Sequence, residues 1–172
     1  MIYKFCPVCG GALKNREIPE EDRARLICED CAFIFFINPT PAVAVILFNE
    51  RHEILLVNRK YDPKMGEWSL PTGFLEYDET VRQTAVREVK EETDIDIADV
   101  KFRGITSDLF EDSGKHYITL WMEAHYLSGE PKVNAPYEMS TLDWFSWEAL
   151  PSPLFLSFQN LLDGKTYPPG IR

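Results

Sequence analysis

The sequence lacks the long apolar runs of a membrane protein. Its longest such run covers roughly residues 42–48, far short of the roughly 20 residues that a membrane-spanning helix needs. The N-terminus also lacks the layout of a secretory signal, which places an apolar stretch after a basic one. We therefore expect no membrane association and a cytoplasmic location.

Basic residues are also scarce. The 172 residues include 18 Lys and Arg against 28 Asp and Glu, for a formal net charge of −10. Nucleic-acid binding generally requires a basic surface against the phosphates, so we expect no nucleic-acid partner. A small phosphorylated substrate stays compatible with this charge, because bound metal ions invert the local field. The length suits one ordinary domain plus a small appendage.

Cysteine is absent after residue 31. The four cysteines form two Cys-x-x-Cys pairs, Cys6 with Cys9 and Cys28 with Cys31, and 18 residues separate the pairs. This spacing fits a four-cysteine zinc site. Two disulfides would need an oxidising compartment, and a thioredoxin-like redox motif would need a βαβ unit. We therefore predict a structural Zn²⁺ bound by all four thiolates.

Residues 1–39 have the features of a zinc ribbon, a small β domain with a charged hairpin tip at 19–25. So small a unit buries little surface, and the metal would supply most of its folding energy. Two prolines at 39 and 41 break regular structure, which predicts a second domain at residues 40–172. The near-neutral charge of residues 1–40 favours a structural ribbon, or one that forms a homodimer, over an RNA-binding one.

The second domain has an α/β pattern. Residues 42–48 and 53–59 predict a β-hairpin, and a short strand is expected at 67–71. A helix over 80–93 would be capped by Asp78. The later predicted elements are three strands and a final helix, at 100–110, 117–127, 142–146 and 153–162. This order predicts a mixed sheet with helices on both sides.

The predicted helix carries three glutamates on one face, Glu88, Glu91 and Glu92. Like charges at these spacings destabilise a helix. A solvated acidic face would lie opposite the apolar stripe that begins at Val81, yet Glu92 points along the stripe and the other two flank it. Mg²⁺ and Mn²⁺ are hard cations that prefer oxygen ligands, so we predict a divalent metal site on this helix.

These glutamates belong to a longer pattern that resembles the Nudix box. The box residues present are Gly73, Glu79, Arg87, Glu88, Val89, Glu91, Glu92 and Ile95. The one departure is Asp94, where the family has glycine. That position lies just past the helix end, where a left-handed backbone is common, and Asp tolerates this conformation better than most residues. We expect a small stability cost there and no loss of chemistry.

The resemblance implies a Nudix α/β/α sandwich with a mixed sheet. It implies that Glu88, Glu91 and Glu92 bind the divalent metal, with a backbone carbonyl near Gly73 as a further ligand. Glu76 would reach the metal directly or through water. Two box residues, Glu91 and Glu92, would also share the catalytic work. Arg87 would serve catalysis by bracing the loop against the helix through Glu79.

Several residues outside the box are candidates for catalysis or substrate binding. Glu138 is a candidate general base, and the alternative is a solvated loop acid. Arg59 ends a predicted strand and would contact a phosphate or form a surface salt bridge. Aromatic side chains, with Phe74 and Tyr117 foremost, would stack on the substrate, although most aromatic residues pack in cores.

The combination of a zinc ribbon with a Nudix domain is similar to NADH pyrophosphatases and to plant FAD and ADP-ribose pyrophosphatases. The Ser-Gln-Pro-Trp-Pro-Phe-Pro run of the NADH branch is missing, so we set NADH specificity aside. Residues 116–121 and 144–151 instead look like MutT-type nucleoside triphosphate pyrophosphatases.

We therefore predict Mg²⁺-dependent hydrolysis of a nucleoside triphosphate or of a nucleoside diphosphate linked to another moiety. Two alternatives from other classes stay open. One is a catalytically silent nucleotide-binding regulator, and the intact box glutamates count against it. The other is a zinc-ribbon adaptor that binds RNA or protein.

Overall fold

The computed structural model describes residues 3–19, 21–62 and 64–167. They form two compact units that divide after Asn38, one residue before the predicted boundary. Within the described part of the chain, no helix is long and apolar enough to cross a membrane.

The first unit is a three-stranded antiparallel sheet. Its strands are β1 (Leu13–Arg16), β2 (Arg25–Cys28) and β3 (Ile34–Phe35), with β2 in the centre. Its core cluster consists of Cys6, Leu13, Leu26 and Cys28, with Phe35 packed against it. Since two of these four buried residues are cysteines, the apolar core is very small. The predicted small β unit is confirmed.

The described residues of the second unit form eight strands and two helices. The strands are β4 (Thr40–Phe48), β5 (Ile54–Arg59), β6 (Trp68–Ser69), β7 (Thr72–Phe74), β8 (Asp96–Phe110), β9 (Lys115–Ser128), β10 (Met139–Phe145) and β11 (Thr166–Tyr167). The helices are α1 (Val81–Thr93) and α2 (Leu156–Leu162). The strand order is β10-β5-β4-β9-β8-β11, with β6 on β5 and β7 on β4. Since β4 runs parallel to β9 and antiparallel to β7, the sheet is mixed as predicted.

The predicted hairpin exists only at its turn. The strands β4 and β5 pair at Phe48 and Ile54, and His52 takes a left-handed conformation between them with φ 59°. The two strands then separate, because β4 pairs with β7 and β9 while β5 pairs with β6 and β10. Both strands are buried along most of their length, as expected for apolar runs covered on both faces.

Alternate residues of β4 enter two different cores. Val43, Val45 and Leu47 pack with the residues of α1, whereas Ala44 and Ile46 pack with those of α2. This is the alternation of side chains in any β-strand, and here both faces of the sheet are covered. The predicted α/β/α sandwich is confirmed.

The prediction of Asp78 as the helix cap was wrong, because Thr80 caps α1. The Thr80 hydroxyl accepts from the Gln83 amide at 3.3 Å, and the Gln83 side-chain oxygen accepts from the Thr80 amide at 2.8 Å. This reciprocal pair is a capping box, which satisfies two of the amides that a helix start leaves free. Helix α2 also begins later than predicted, at Leu156.

A buried polar network joins β8, β9 and α2. The carboxylate of Asp108, which is fully buried, accepts from the hydroxyls of Thr106 and Thr119 and from the side-chain amide of Asn160. The Trp121 indole N–H donates to Thr106 at 3.0 Å. Trp121 is therefore a core residue.

Candidate active site and metal centre

The Glu88 carboxyl group on helix α1 lies so close to the backbone of strand β7 that any side chain at residue 73 would displace it. A Cβ atom on Gly73 would lie 1.8 Å from the Glu88 carboxyl group. Since the φ angle of Gly73 is not positive, the requirement is one of space. This contact places the Glu88 carboxylate against the backbone of the loop.

Four glutamates line a cavity of about 470 Å³ in the second unit: Glu76, Glu88, Glu92 and Glu138. Glu92 is only 5% exposed, and it accepts a hydrogen bond from the Thr72 amide at 3.3 Å. Burial, together with the negative charges of Glu88 and Glu138, raises the pKa of Glu92 well above its usual value. Burial also raises the pKa of Glu88.

This cluster has the donor chemistry that suits Mg²⁺ or Mn²⁺. Its members are carboxylates, and a nearby divalent cation would favour the charged forms that burial disfavours. Among the described residues, the cysteines form a group with metal-binding donor atoms close together, all within 4.8 Å of one another. Mg²⁺ usually keeps several water ligands and binds few carboxylates directly, so a site for it does not require all four carboxylates to converge.

Arg87 fastens the loop before α1 to the helix. Its Nε and Nη2 donate to the two carboxylate oxygens of Glu79 at 2.6 and 2.8 Å, and Nη2 also donates to the Phe74 carbonyl at 3.1 Å. The hydrogen bonds from Arg87 lower the pKa of Glu79 to about 2. The expected pairing of Arg87 with Glu79 is therefore present.

The three helix glutamates do not all face the cavity. Glu92 is buried, and Glu88 is half-buried with Arg87 Nη1 at 2.6 Å. The Glu91 side chain is 59% exposed, lies 3.2 Å from the same nitrogen, and is not part of the cavity lining. At 100° per residue, Glu91 is turned away from the apolar stripe that Glu92 follows. Its role as metal ligand and catalytic group remains a prediction.

Glu138 lines the same cavity although it is far from the box in sequence. It lies just before β10, where its carbonyl accepts from the Lys60 amide at 2.9 Å. Its charge contributes to the raised pKa of both Glu88 and Glu92.

Arg59 brings a positive charge to the cavity. Its guanidinium group lies over the Phe155 ring, 4.9 Å from the ring centre. Among the described side-chain atoms, its Nε is buried without a hydrogen-bond partner. The surface salt bridge considered for Arg59 is not formed with any described residue.

Aromatic rings form another part of the lining. Phe74 and Tyr117 stack with ring centres 6.0 Å apart and planes at 19°, and Phe110 meets Tyr117 edge-on at 5.5 Å. Phe74 is 53% exposed, so its ring is open to solvent on one side. Trp68 instead packs against Phe145. The two aromatic residues predicted to bind substrate both reach the cavity, and their role remains a prediction.

Several lining residues were missed in the sequence. Lys115 and Thr119 alternate with Tyr117 along β9, so the period of two could have indicated them. Other missed residues come from separate loops or from α2 and carry no local signal: Lys64, Asp112, Ser113, Phe155 and Ser157.

The four cysteine sulfurs converge in the first unit. The Sγ atoms of Cys6 and Cys31 lie 3.8 Å apart. The Sγ atom of Cys9 lies 3.4 Å from the Sγ atom of Cys28 and 3.4 Å from that of Cys31. These values are close to the roughly 3.8 Å between sulfurs in a tetrahedral site at the usual Zn–S distance. Each pair is followed by a left-handed residue, Gly10 or Ala32, which turns the chain around the sulfurs.

The electrostatics of the cysteines favour a bound cation. The Cys31 amide donates to Cys28 and lowers the pKa of that thiol to about 7. For Cys9, the Gly11 amide lowers the pKa, but the neighbouring thiols outweigh it and raise the pKa to about 12. Four thiolates this close together therefore need a positive ion, and Zn²⁺ fits the donor set.

Known proteins share both units. A family model described as "NUDIX domain" matches residues 38–162, and one described as "Nudix N-terminal", a zinc ribbon, matches residues 4–36. The NAD-capped RNA hydrolase NudC of Vibrio atlanticus is 30% identical over 148 residues, which cover 86% of this chain and 51% of that protein. The protein of the same name from Pseudomonas aeruginosa is 30% identical over 149 residues, which cover 86% of this chain and 49% of that protein. The chain thus spans about half the length of the curated relatives it matches.

Solved structures show the same fold. A MutT NUDIX hydrolase from Burkholderia pseudomallei has a TM-score of 0.69 at 29% identity, covering 74% of this chain and 98% of that one. A NUDIX hydrolase from Nitrosomonas europaea has a TM-score of 0.69 at 29% identity, covering 87% of this chain and 81% of that one. The relatives' name includes an RNA, so the expected absence of a nucleic-acid partner is not supported.

The family model extends over most of the second unit, and the fixed spacing from Gly73 to Glu92 produces a close loop–helix contact here. Gly73 leaves room for the Glu88 carboxylate, and Arg87 ties Glu79 to the helix. The chain belongs to the Nudix hydrolase family.

Proposed function

We propose that this chain is a divalent-cation-dependent pyrophosphohydrolase. Its substrate would be a nucleoside diphosphate linked to another moiety, such as ADP-ribose or FAD, or a nucleoside triphosphate. The observation that carries the proposal is the lining of one cavity, which combines four glutamates, with Glu92 buried among them, with cationic side chains and with aromatic rings, of which that of Phe74 is exposed. Such a combination suits a cation, a pyrophosphate and a nucleoside in one site.

Glu88 and Glu92 would bind the Mg²⁺ or Mn²⁺, with the Gly73 carbonyl as a further ligand. Glu76 and Glu91 would contribute directly or through bound water. The bound cation would neutralise phosphate charge and lower the pKa of a coordinated water. The burial of Glu92 supports its role, because such a carboxylate gains most from a nearby positive charge.

Glu138 would accept the proton of the attacking water. As the water oxygen bonds to phosphorus, the anhydride P–O bond breaks and its electron pair leaves with the departing phosphate group. Glu138 is suited to this role because its side chain is exposed at the cavity and no described hydrogen bond or ion pair engages its carboxylate. Arg87 would act by holding the loop and helix in register.

The remaining lining would bind the substrate. The Arg59 guanidinium group would donate to a phosphate oxygen, and stacking on Phe155 would hold it in place. Phe74 and Tyr117 would stack on a base or another planar ring, since one face of Phe74 is open.

The four cysteines would bind one structural Zn²⁺. The short distances between their sulfurs support this assignment. A homodimer formed through the ribbon remains a prediction.

A product-resolved substrate screen tests the proposal. Purified protein with Mg²⁺ or Mn²⁺ would be given ADP-ribose, FAD, NADH, dinucleoside polyphosphates, nucleoside triphosphates and NAD-capped RNA, and the products would be separated. We expect release of a nucleoside monophosphate from at least one small nucleotide. Binding without hydrolysis of any of them would instead support the silent regulator.

A further inference from the structure

The loop that carries Glu138, residues 129–138, is docked on the C-terminal end of α1. Three of its donors bind carbonyls of the last helical turn: the Lys132 amide to Thr93 at 3.1 Å, the Asn134 amide to Glu92 at 2.9 Å, and Asn134 Nδ2 to Glu91 at 3.0 Å. The last carbonyls of a helix have no partner within the helix. Here a distant loop satisfies them, so loop and helix end form one hydrogen-bonded unit.

Asp94 lies at the junction of the helix and this loop. Its backbone is left-handed, with φ 58° and ψ 18°, and its carboxylate lies 2.7 Å from Lys132 Nζ and 3.1 Å from Lys90 Nζ. A Cβ on Gly129 would lie 2.5 Å from the Asp94 carbonyl oxygen, so the backbones are also in close contact. The loop therefore touches Asp94 through both backbone and side chain.

The far end of the loop is anchored to β5. Ala135 and Met139 are buried with Val57 in a small separate core, and the Lys60 amide donates to the Glu138 carbonyl. With both ends held, the position of Glu138 depends on how the loop sits on α1.

We propose that Asp94 is a positioning residue whose ion pair with Lys132 tethers this loop to the helix that carries Glu88 and Glu92. The tether sets where Glu138 stands relative to those two carboxylates. This inference rests on the proposed function, which gives Glu138 its role. The family's glycine would suit the left-handed backbone better, but it has no carboxylate to offer Lys132.

The tether makes activity and stability respond differently to mutation. Asp94→Gly removes the ion pair but relieves the left-handed strain, so we expect no loss in Tm. We expect kcat to fall about fivefold, the effect of losing one partly exposed ion pair, with KM unchanged. Asp94→Asn, which keeps the shape of the side chain, and Lys132→Gln should lower kcat in the same way.

Lys90→Gln is the matched control. Lys90 is the other partner of the Asp94 carboxylate, but it lies on α1 itself and does not hold the loop. We expect it to leave kcat unchanged. An equal loss in Lys90→Gln would show that Asp94 acts by stabilising the helix end, which would overturn the tether.

Two further measurements separate positioning from general stabilisation. In a Glu138→Gln background, Asp94→Asn should cause no further loss of kcat, because the group that it positions has already been removed. Amide hydrogen exchange at Lys132 and Asn134 should be faster in Asp94→Asn than in the natural protein. An undiminished loss in the Glu138→Gln background, or unchanged exchange, would overturn the inference.

The same set of variants distinguishes this inference from the proposed function. If Glu138→Gln lowers kcat strongly while Asp94→Asn has no effect, the tether is wrong and the proposed base stands. If Glu138→Gln keeps full activity, the proposed base is wrong, and the positioning of Glu138 by Asp94 falls with it. If the natural protein hydrolyses none of the nucleotides, the proposed function fails, and hydrogen exchange alone supports or overturns the tether.

Discussion

Glu92 combines burial with the proximity of other carboxylates, an arrangement that is costly without a cation. We expect Glu92→Gln to abolish turnover, because it removes the charge of a proposed metal ligand. We expect the metal-free variant to be at least as stable as the natural protein, because a buried carboxylate is replaced by a neutral group of the same shape. Product assays and thermal unfolding measure the two effects.

Glu91→Gln is the control for that variant. It makes the same chemical change one position away, but on a side chain that is mostly exposed and outside the cavity lining. We expect a clearly smaller loss of activity. Full activity in Glu92→Gln would rule out Glu92 as a metal ligand.

The pKa shifts of the same acids predict how stability depends on pH. The pKa values of Glu92 and Glu88 are raised in the folded protein above the usual value of 4.5. Their contribution to stability is therefore present below that value and is lost as the pH rises through the raised pKa. Metal-free protein should lose stability through these two groups as the pH rises above 4.5.

Mg²⁺ should counteract this loss, because it favours the charged carboxylates. We expect the rise in Tm on adding Mg²⁺ to be larger at neutral than at mildly acidic pH. An equal rise in Tm at both pH values would contradict a site built on Glu88 and Glu92.

Glu79 affects stability in a separate pH range, since its stabilising effect is lost only as the pH falls from 4.5 towards about 2.

At the scale of single elements, Asp108 connects two strands and a helix. Asp108→Ala would leave the hydroxyls of Thr106 and Thr119 and the amide of Asn160 without their common acceptor inside the core. We expect a loss of about 3 kcal/mol in the free energy of unfolding, measured by denaturant titration.

Asp96→Ala provides the comparison for Asp108→Ala. Asp96 lies on the same strand, but its side chain is half-exposed and pairs with Lys90 at the surface. We expect a loss below about 1 kcal/mol there. Equal losses in the two variants would mean that the buried network stabilises the fold no more than the surface ion pair does.

The contiguous elements could be predicted from the sequence, and the contacts between elements could not. The box spacing predicted Gly73, Glu88 and Glu92, because a loop followed by a helix fixes their geometry locally. Phe155 lies at the start of α2, a helix of only 7 residues that is too short to show a clear period. It reaches Arg59 only through tertiary packing, which no local pattern reports.

At the scale of the whole molecule, the two units differ greatly in how much core they possess. The second has two large clusters, one on each face of its sheet. Among the described residues of the first unit, four are buried, and Cys6 and Cys28 are two of them. The small size of residues 1–39 predicted this contrast, and the cysteine spacing predicted the metal that would supply most of the folding energy of so small a unit.

Removal of zinc should therefore unfold one unit and spare the other. Metal analysis of freshly reduced protein should find about one zinc per chain. After chelation, we expect the amide signals of β1 to β3 to collapse to unfolded positions while those of β4 to β11 stay dispersed. Cys9→Ser should give the same pattern without a chelator, which separates zinc loss from removal of Mg²⁺ at the carboxylates. If the ribbon kept its dispersed signals without metal, its small apolar core would be enough to keep it folded. That core would then outweigh the repulsion between four thiolates at these distances, and the predicted dependence on zinc would be wrong.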